Sequence, residues 1–180
     1  MQAAVRFAAQ RGLPLAVNNT GHQVGRAAHG AVLISTQRMN GVTIDADSRT
    51  ARIEPGVRWG QVISEASEFG LAPMNGSTPT VGSIGYSLGG GQSVAWSRSK
   101  GYAADHILSL DVVTADSLLR HVTADSEPEL FWALRGGMGN FGVVTAMVCE
   151  LFPRTRIYGG GVWFAIEHVP ELMPAWRAWV

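Results

Sequence analysis

Gly137-Met138-Gly139-Asn140-Phe141-Gly142 matches the glycine fingerprint of dinucleotide-binding folds letter for letter. The fingerprint works only when a strand enters it and a helix leaves it, because the pyrophosphate must meet N–H groups at the start of that helix. Here the order is reversed. Residues 127–134, preceded by Ser126 and acidic in their first turn, predict a helix that Gly136 and Gly137 end. Residues 143–152 form a β-rich run. The hexapeptide therefore leads from a helix into a strand, and a doubly wound sheet is not the expected fold. Its glycines still permit backbone to approach a cofactor.

Outward from this point the same mixture continues. Residues 107–114 and 118–123 predict strands around an Asp116-Ser117 turn. Residues 58–69 place Val62, Ile63 and Ala66 on one helical face and stop at Gly70. Residues 42–46 and 50–54 alternate around residues 45–48 as a hairpin, and residues 31–35 form another strand. At the start, Val5, Phe7, Ala8 and Ala9 fit a helix ending at Arg11-Gly12, followed by a short buried strand over residues 13–17. Downstream, residues 159–166 read as one more strand, and residues 170–180 as a helix with Trp176 and Trp179 on a shared face. Helices and hairpins without regular βαβ alternation predict an α+β domain in which loops hold any nucleotide.

Composition narrows the function. With 180 residues, 46% apolar and 16% charged, the chain can bury one full core. Fourteen basic and fourteen acidic residues cancel, and neither sign clusters, which argues against nucleic acid or an acidic membrane surface as partner. No run is long and apolar enough for a membrane span, and residues 1–12 carry Arg6 and Arg11 in a helical pattern unlike a signal peptide. A soluble, cytoplasmic protein is expected. The lone Cys149 lies in an apolar run and reads as a small buried hydrophobe. His29, His106, His121 and His168 lack zinc-like spacing, so no metal is expected. Met1 enters a helical pattern without a cap and Val180 ends one without a stop, as in a piece of a longer chain.

Two further loops bear on chemistry. Residues 76–91 carry six glycines in sixteen residues, whose backbone N–H groups and positive φ values would suit an anion-binding nest. Within them Gly85-Tyr86-Ser87-Leu88-Gly89 matches the nucleophile elbow of serine hydrolases, with Asp125 and His168 following in triad order. Against that reading, Gly89-Gly90-Gly91 stands where the helix after the elbow should begin, and no His-Gly-Gly-Gly segment lies upstream. The other loop, Thr20-Gly21-His22-Gln23-Val24-Gly25, sets a histidine among small and amide side chains just after a strand.

Taken together, the segments Thr20-Gly21-His22, Arg38-Met39-Asn40-Gly41-Val42, Pro79-Thr80-Val81-Gly82, Leu88-Gly89-Gly90-Gly91, Ala104-Asp105-His106-Ile107, Val113-Thr114-Ala115-Asp116 and Leu130-Phe131-Trp132-Ala133-Leu134-Arg135-Gly136-Gly137, running on to Thr145, carry a resemblance. They resemble the FAD-binding domain of the vanillyl-alcohol-oxidase and p-cresol-methylhydroxylase (PCMH) superfamily, especially its berberine-bridge-enzyme-like oxidoreductases. The resemblance implies a PCMH-type fold of two subdomains, a small mixed sheet with helices and an antiparallel sheet flanked by helices. It further implies that residues 1–155 form the FAD-binding domain, incomplete at its N-terminus, and residues 156–180 the start of a truncated substrate domain.

By the same resemblance, FAD is the cofactor. Asn18, Asn19, Thr20, Gly21, His22, Gln23, Val24 and Gly25 would cradle its pyrophosphate, with His22 at the position that bonds covalently to the isoalloxazine 8α-methyl group. Thr78, Val81, Gly82, Gly85, Tyr86 and Ser87 would line the flavin and its phosphates, and Asp105, His106, Ile107, Gly142 and Val144 the nucleotide side. Doubly linked relatives have a cysteine where Thr78 stands, so at most one covalent link is implied. Many relatives read Arg-Gly-Gly-Gly-His-Ser in the first loop. This chain has Asn18-Asn19-Thr20-Gly21-His22-Gln23, leaving backbone N–H groups and amides to hold the phosphates. The implied function is an FAD-dependent oxidoreductase taking a hydride from an alcohol or amine carbon of a small molecule, with O2 as acceptor; no catalytic base is indicated. A non-catalytic flavin-binding module is the alternative.

Overall fold

The computed structural model describes residues 1–22 and 28–179. Its centre is an antiparallel five-stranded sheet made from residues far apart in the chain. In chain order, α1 (Gln2–Gln10) precedes a parallel pair, β1 (Leu15–Asn18) beside β2 (Val32–Ser35). The hairpin of β3 (Val42–Asp45) and β4 (Thr50–Ile53) follows. The Asp45 carboxylate accepts the backbone N–H groups of Asp47 and Ser48 and so closes this turn, which lowers the Asp45 pKa.

Next come α2 (Trp59–Ser67), β5 (Leu71–Ala72), α3 (Ser83–Leu88) and α4 (Ser97–Lys100). A 3-10 turn, Ala103–His106, then enters β6 (Ile107–Val113), which pairs with β7 (Leu119–Thr123). Finally α5 (Pro128–Gly137) leads through the 3-10 turn Met138–Phe141 into β8 (Val143–Glu150), β9 (Phe152–Pro153) and α6 (Val169–Trp179). The sheet order is β3-β4-β8-β6-β7, so β8, near the end of the fold, wedges between β4 and β6.

One face of this sheet is packed and the other is wet, as antiparallel sheets allow. On the packed face Ala51, Ile53, Leu110, Val112 and Met147 meet Trp59, Val62 and Ala66 of α2, Ile84 and Leu88 of α3, and Phe131 and Leu134 of α5 in one core. On the wet face Asp111 sits between Arg52 at 2.7 Å and His121 at 2.7 Å. Cys149 is buried, and burial pushes its thiol up to about 12, so it acts as a hydrophobe and not as a thiolate.

Three sequence expectations need correction. Residues 159–166 form no strand; they are exposed and irregular, with a 3-10 turn at Ile166–His168, and they pair with no strand among the described residues. Ser126 does not cap α5. Its N–H goes to Thr123 Oγ1 and its carbonyl takes the Thr123 N–H, closing the β7 turn, while Glu127 at φ +56° is the cap residue and Pro128 starts the helix. The glycine-rich stretch 76–91 is not all loop, since it contains α3, and its positive φ values are confined to Gly90 and Gly91. From Arg154 to Trp179 no residue is buried, and Trp163 and Trp179 are among the most exposed aromatics. No helix among the described residues is long and apolar enough to cross a membrane.

Candidate cofactor site

The chain end of β1 turns into residues 18–22, and this turn is held from below. Thr36, fully buried, donates its hydroxyl to Asn19 Oδ1 at 2.9 Å, and its N–H to the Asn18 carbonyl. The mid-chain loop is held from the side. Trp59 N–H donates to the Val81 carbonyl at 3.0 Å, Gly60 N–H to Pro79, and both the N–H and hydroxyl of Ser83 to the Val57 carbonyl. These bonds set Gly82 directly against Thr20: a Cβ on Gly82 would stand 2.5 Å from Thr20 Oγ1. The third segment, Gly139 to Val144, arrives from the turn between α5 and β8.

The three segments line one cavity of about 410 Å³, within the range of small-molecule and cofactor sites. Its walls are Val17, Asn18, Asn19, Thr20, Gly21, His22, Val81, Gly82, Ile84, Gly85, Tyr86, Leu88, Met138, Gly139, Gly142, Val143 and Val144. A second cavity of about 490 Å³ adjoins it beneath α1 and shares Val17, Gly139, Gly142 and Val143. Five of the seventeen residues around the first cavity are glycine, so backbone is within reach of a guest over much of the wall. Val17, Val81, Ile84 and Leu88 supply apolar surface for a ring system. A long ligand with polar and planar parts fits such a groove.

Of the residues indicated by sequence, Asn18, Asn19, Thr20, Gly21, His22, Val81, Gly82, Gly85, Tyr86, Gly142 and Val144 meet at this cavity. Gln23, Val24 and Gly25 lie outside the described residues. The rest are placed elsewhere and have local duties. Ser87 is buried and donates to the Ser83 carbonyl within α3. Thr78 pairs with Thr80 at 3.2 Å. Asp105 accepts the Tyr102 N–H and caps its 3-10 turn, His106 Nδ1 lies 2.6 Å from Glu150, and Ile107 is in the core.

Sequence reasoning missed Val17, Ile84, Leu88, Met138, Gly139 and Val143. Met138, Gly139 and Val143 lay inside or beside a motif already singled out; the apolar three carry no signal apart from position.

The nucleophile-elbow reading also meets its geometry here. Ser87 sits inside a helix and is spent on a helix carbonyl, and among the described residues it has no hydrogen bond to Asp125 or His168.

Tyr86 crosses the cavity wall with its ring edge-on to Trp59, centroids 5.8 Å apart. Its hydroxyl is buried without a hydrogen-bond partner among the described residues, and burial raises its pKa, so the phenol stays protonated at neutral pH. An unpartnered O–H is a cost to the ligand-free fold. Tyr86→Phe is therefore expected to leave the melting temperature of the flavin-free protein unchanged or raised. A fall of several degrees in scanning calorimetry would show that the hydroxyl is already satisfied.

Comparison with known proteins gives the family of the chain. A family model described as FAD binding domain matches residues 1–123. The chain belongs to the FAD binding domain family. Its superfamily is that of vanillyl-alcohol oxidase and p-cresol methylhydroxylase, with relatives of the berberine-bridge-enzyme-like type, as the motifs indicated.

The domain is 38% identical over 164 residues to (R)-6-hydroxynicotine oxidase of Paenarthrobacter nicotinovorans, an alignment covering 89% of this chain and 36% of that protein. Among solved structures it superposes on the xylooligosaccharide oxidase of Myceliophthora thermophila with a TM-score of 0.78 at 36% identity, covering 84% of this chain and 33% of that one. It also superposes on the glucooligosaccharide oxidase of Acremonium strictum, described with 6-S-cysteinyl, 8α-N1-histidyl FAD, with a TM-score of 0.76 at 33% identity over 84% and 32% of the two chains. The chain thus spans about a third of the length of the relatives it matches.

Proposed function

We propose that the FAD binding domain holds FAD in this groove as part of an oxidoreductase that takes a hydride from an alcohol or amine carbon, with O2 as the terminal acceptor. The observation that carries the reading is the meeting of the histidine loop, the mid-chain glycine loop and the Gly139–Gly142 turn around one cavity. When bound, FAD supplies the hydride-accepting chemistry, and the protein supplies binding, orientation and electrostatic tuning. Asn18, Asn19 and the backbone of residues 20–22 offer hydrogen-bonding groups to the diphosphate. Val81, Ile84 and Leu88 would offer apolar surface to the ring system.

His22 is exposed on the cavity wall, and we assign it as the group that tethers the flavin. Thr78 has no thiol, so a second tether through that position is ruled out by its chemistry. The expected result is yellow protein whose colour stays with the polypeptide after acid precipitation, and a His22→Ala variant that releases the colour to the supernatant. Folded but colourless wild-type protein would refute flavin binding; colour released equally from both proteins would refute the tether alone.

A second reading is favoured by the same walls. With His22 taken up as the tether, the other titratable side chain of the described lining is Tyr86, which burial keeps protonated, and no carboxylate stands there to act as a base. On this reading the domain is a flavin-holding module. Reduction of the bound flavin by dithionite but by no member of an alcohol and amine panel supports the module, while oxygen uptake with any member supports the oxidase.

A further inference from the structure

A diphosphate needs positive potential, yet the described cavity wall contains no lysine or arginine. The cation stands behind the wall. Arg58, in the residue before α2, reaches both cofactor loops at once. Its Nη1 donates to the Thr80 carbonyl and its Nη2 to the Thr20 carbonyl at 2.8 Å. Among the described residues it has no carboxylate partner, so its charge is not neutralised by an ion pair. Each of these carbonyls shares a peptide unit with the next N–H, that of Gly21 in one loop and Val81 in the other. Both residues line the cavity, and neither N–H donates to an acceptor among the described residues.

We propose that Arg58 is a positioning residue for the dinucleotide: its fork fixes the spacing of the two loops, and its charge polarises two peptides so that the Gly21 and Val81 N–H groups become stronger donors to phosphate. A hydrogen bond from a cation to a carbonyl draws electron density along the peptide and sharpens the dipole of the N–H behind it. The planar guanidinium suits two acceptors held side by side, whereas an ammonium is a point donor. This inference rests on the flavin reading above.

The test titrates flavin-free wild type, Arg58→Met and Arg58→Lys with FAD and with riboflavin, which lacks phosphate, reading the rapid fluorescence quench that precedes any covalent capture. Arg58→Met is expected to weaken FAD binding about tenfold or more, the scale of one charge-assisted hydrogen bond, and to change riboflavin binding less than about twofold. Arg58→Lys should fall between wild type and Met for FAD and leave riboflavin unchanged; this variant carries the test if Arg58→Met does not fold. Equal losses for both flavins would mean a general structural role and overturn the proposal, as would wild-type FAD affinity in either variant. A wild type that binds neither flavin overturns the flavin reading itself, and this inference with it.

Discussion

Gly82→Ala is expected to cost FAD affinity on the order of 100-fold and to lower the melting temperature of the flavin-free protein as well. The backbone of Gly82, at φ −69° and ψ 127°, is open to any residue, so conformational strain is not the cause. The cause is contact. An added Cβ would meet Thr20 Oγ1 at 2.5 Å and Thr20 Cγ2 at 2.8 Å, both on a stiff β-branched side chain.

Neither partner can retreat easily. The Gly82 segment is bonded to residues 57–60 on its other side, and Thr20 is held through Arg58 and the Asn19–Thr36 pair. Overpacking of this kind costs about 1–3 kcal/mol, and here it is spent on widening the gap between the two cofactor loops. Thr20→Ala in the same chain leaves only the Thr20 Cβ, 3.2 Å away, and should restore most of the lost affinity. Isothermal titration of the single and double variants forms the cycle. Wild-type affinity in Gly82→Ala, or no recovery in the double variant, would show that the loops are not held as described.

The second large effect is on stability. Trp59 is 1% exposed and is the largest fully buried side chain. It anchors α2 to the sheet and backs Tyr86 at the cavity wall. Trp59→Ala should cost about 3–5 kcal/mol, because the transfer energy of the indole is lost and the cavity left behind collapses only in part. Against a total stability of about 5–15 kcal/mol, such a change leaves a substantial unfolded fraction. Trp59→Phe should cost much less. The indole N–H has no partner among the described residues, so phenylalanine removes an unsatisfied donor while keeping a ring against Tyr86. Urea midpoints with an unchanged m value test both variants. An Ala variant within about 1 kcal/mol of wild type would mean that the pocket refills, contrary to the packing described.

Much of the local structure was legible because it depends on nearby residues. The spacing of Val62 and Ala66 announced α2, Asp45 announced the hairpin turn, and the reversed helix-to-strand order around Gly137–Gly142 excluded a doubly wound sheet. The failures have tertiary causes. Residues 159–166 are apolar and β-prone, but a strand needs a partner, and among the described residues they pair with none. α3 is six residues with Gly85 among them, too short and too poor in helix formers to hold by itself. Ser83 secures it by two bonds to Val57, twenty-six positions earlier. No local pattern could announce that.

At the site, the glycine spacing and the placement of His22 after a strand were local facts, and with the combined motifs they were enough to indicate a flavin domain from the letters alone. Which side chains face the groove was decided by packing. Asp105, His106, Ile107 and Ser87 stand in or near motifs, yet the fold uses them for a cap, a hydrogen bond with Glu150, the core and a helix carbonyl. Val17, Ile84 and Leu88 stand at the cavity only because β1 and α3 come together across more than sixty positions of chain. Arg58 shows the division most clearly. As a letter it is one arginine before a helix, and it becomes part of the site because its two carbonyl partners belong to loops brought within reach of one guanidinium only when the sheet is complete. Backbone propensity and spacing act over a few residues and can be read in order along the chain; the convergence of distant loops on one cation depends on the whole core, and only the folded structure displays it.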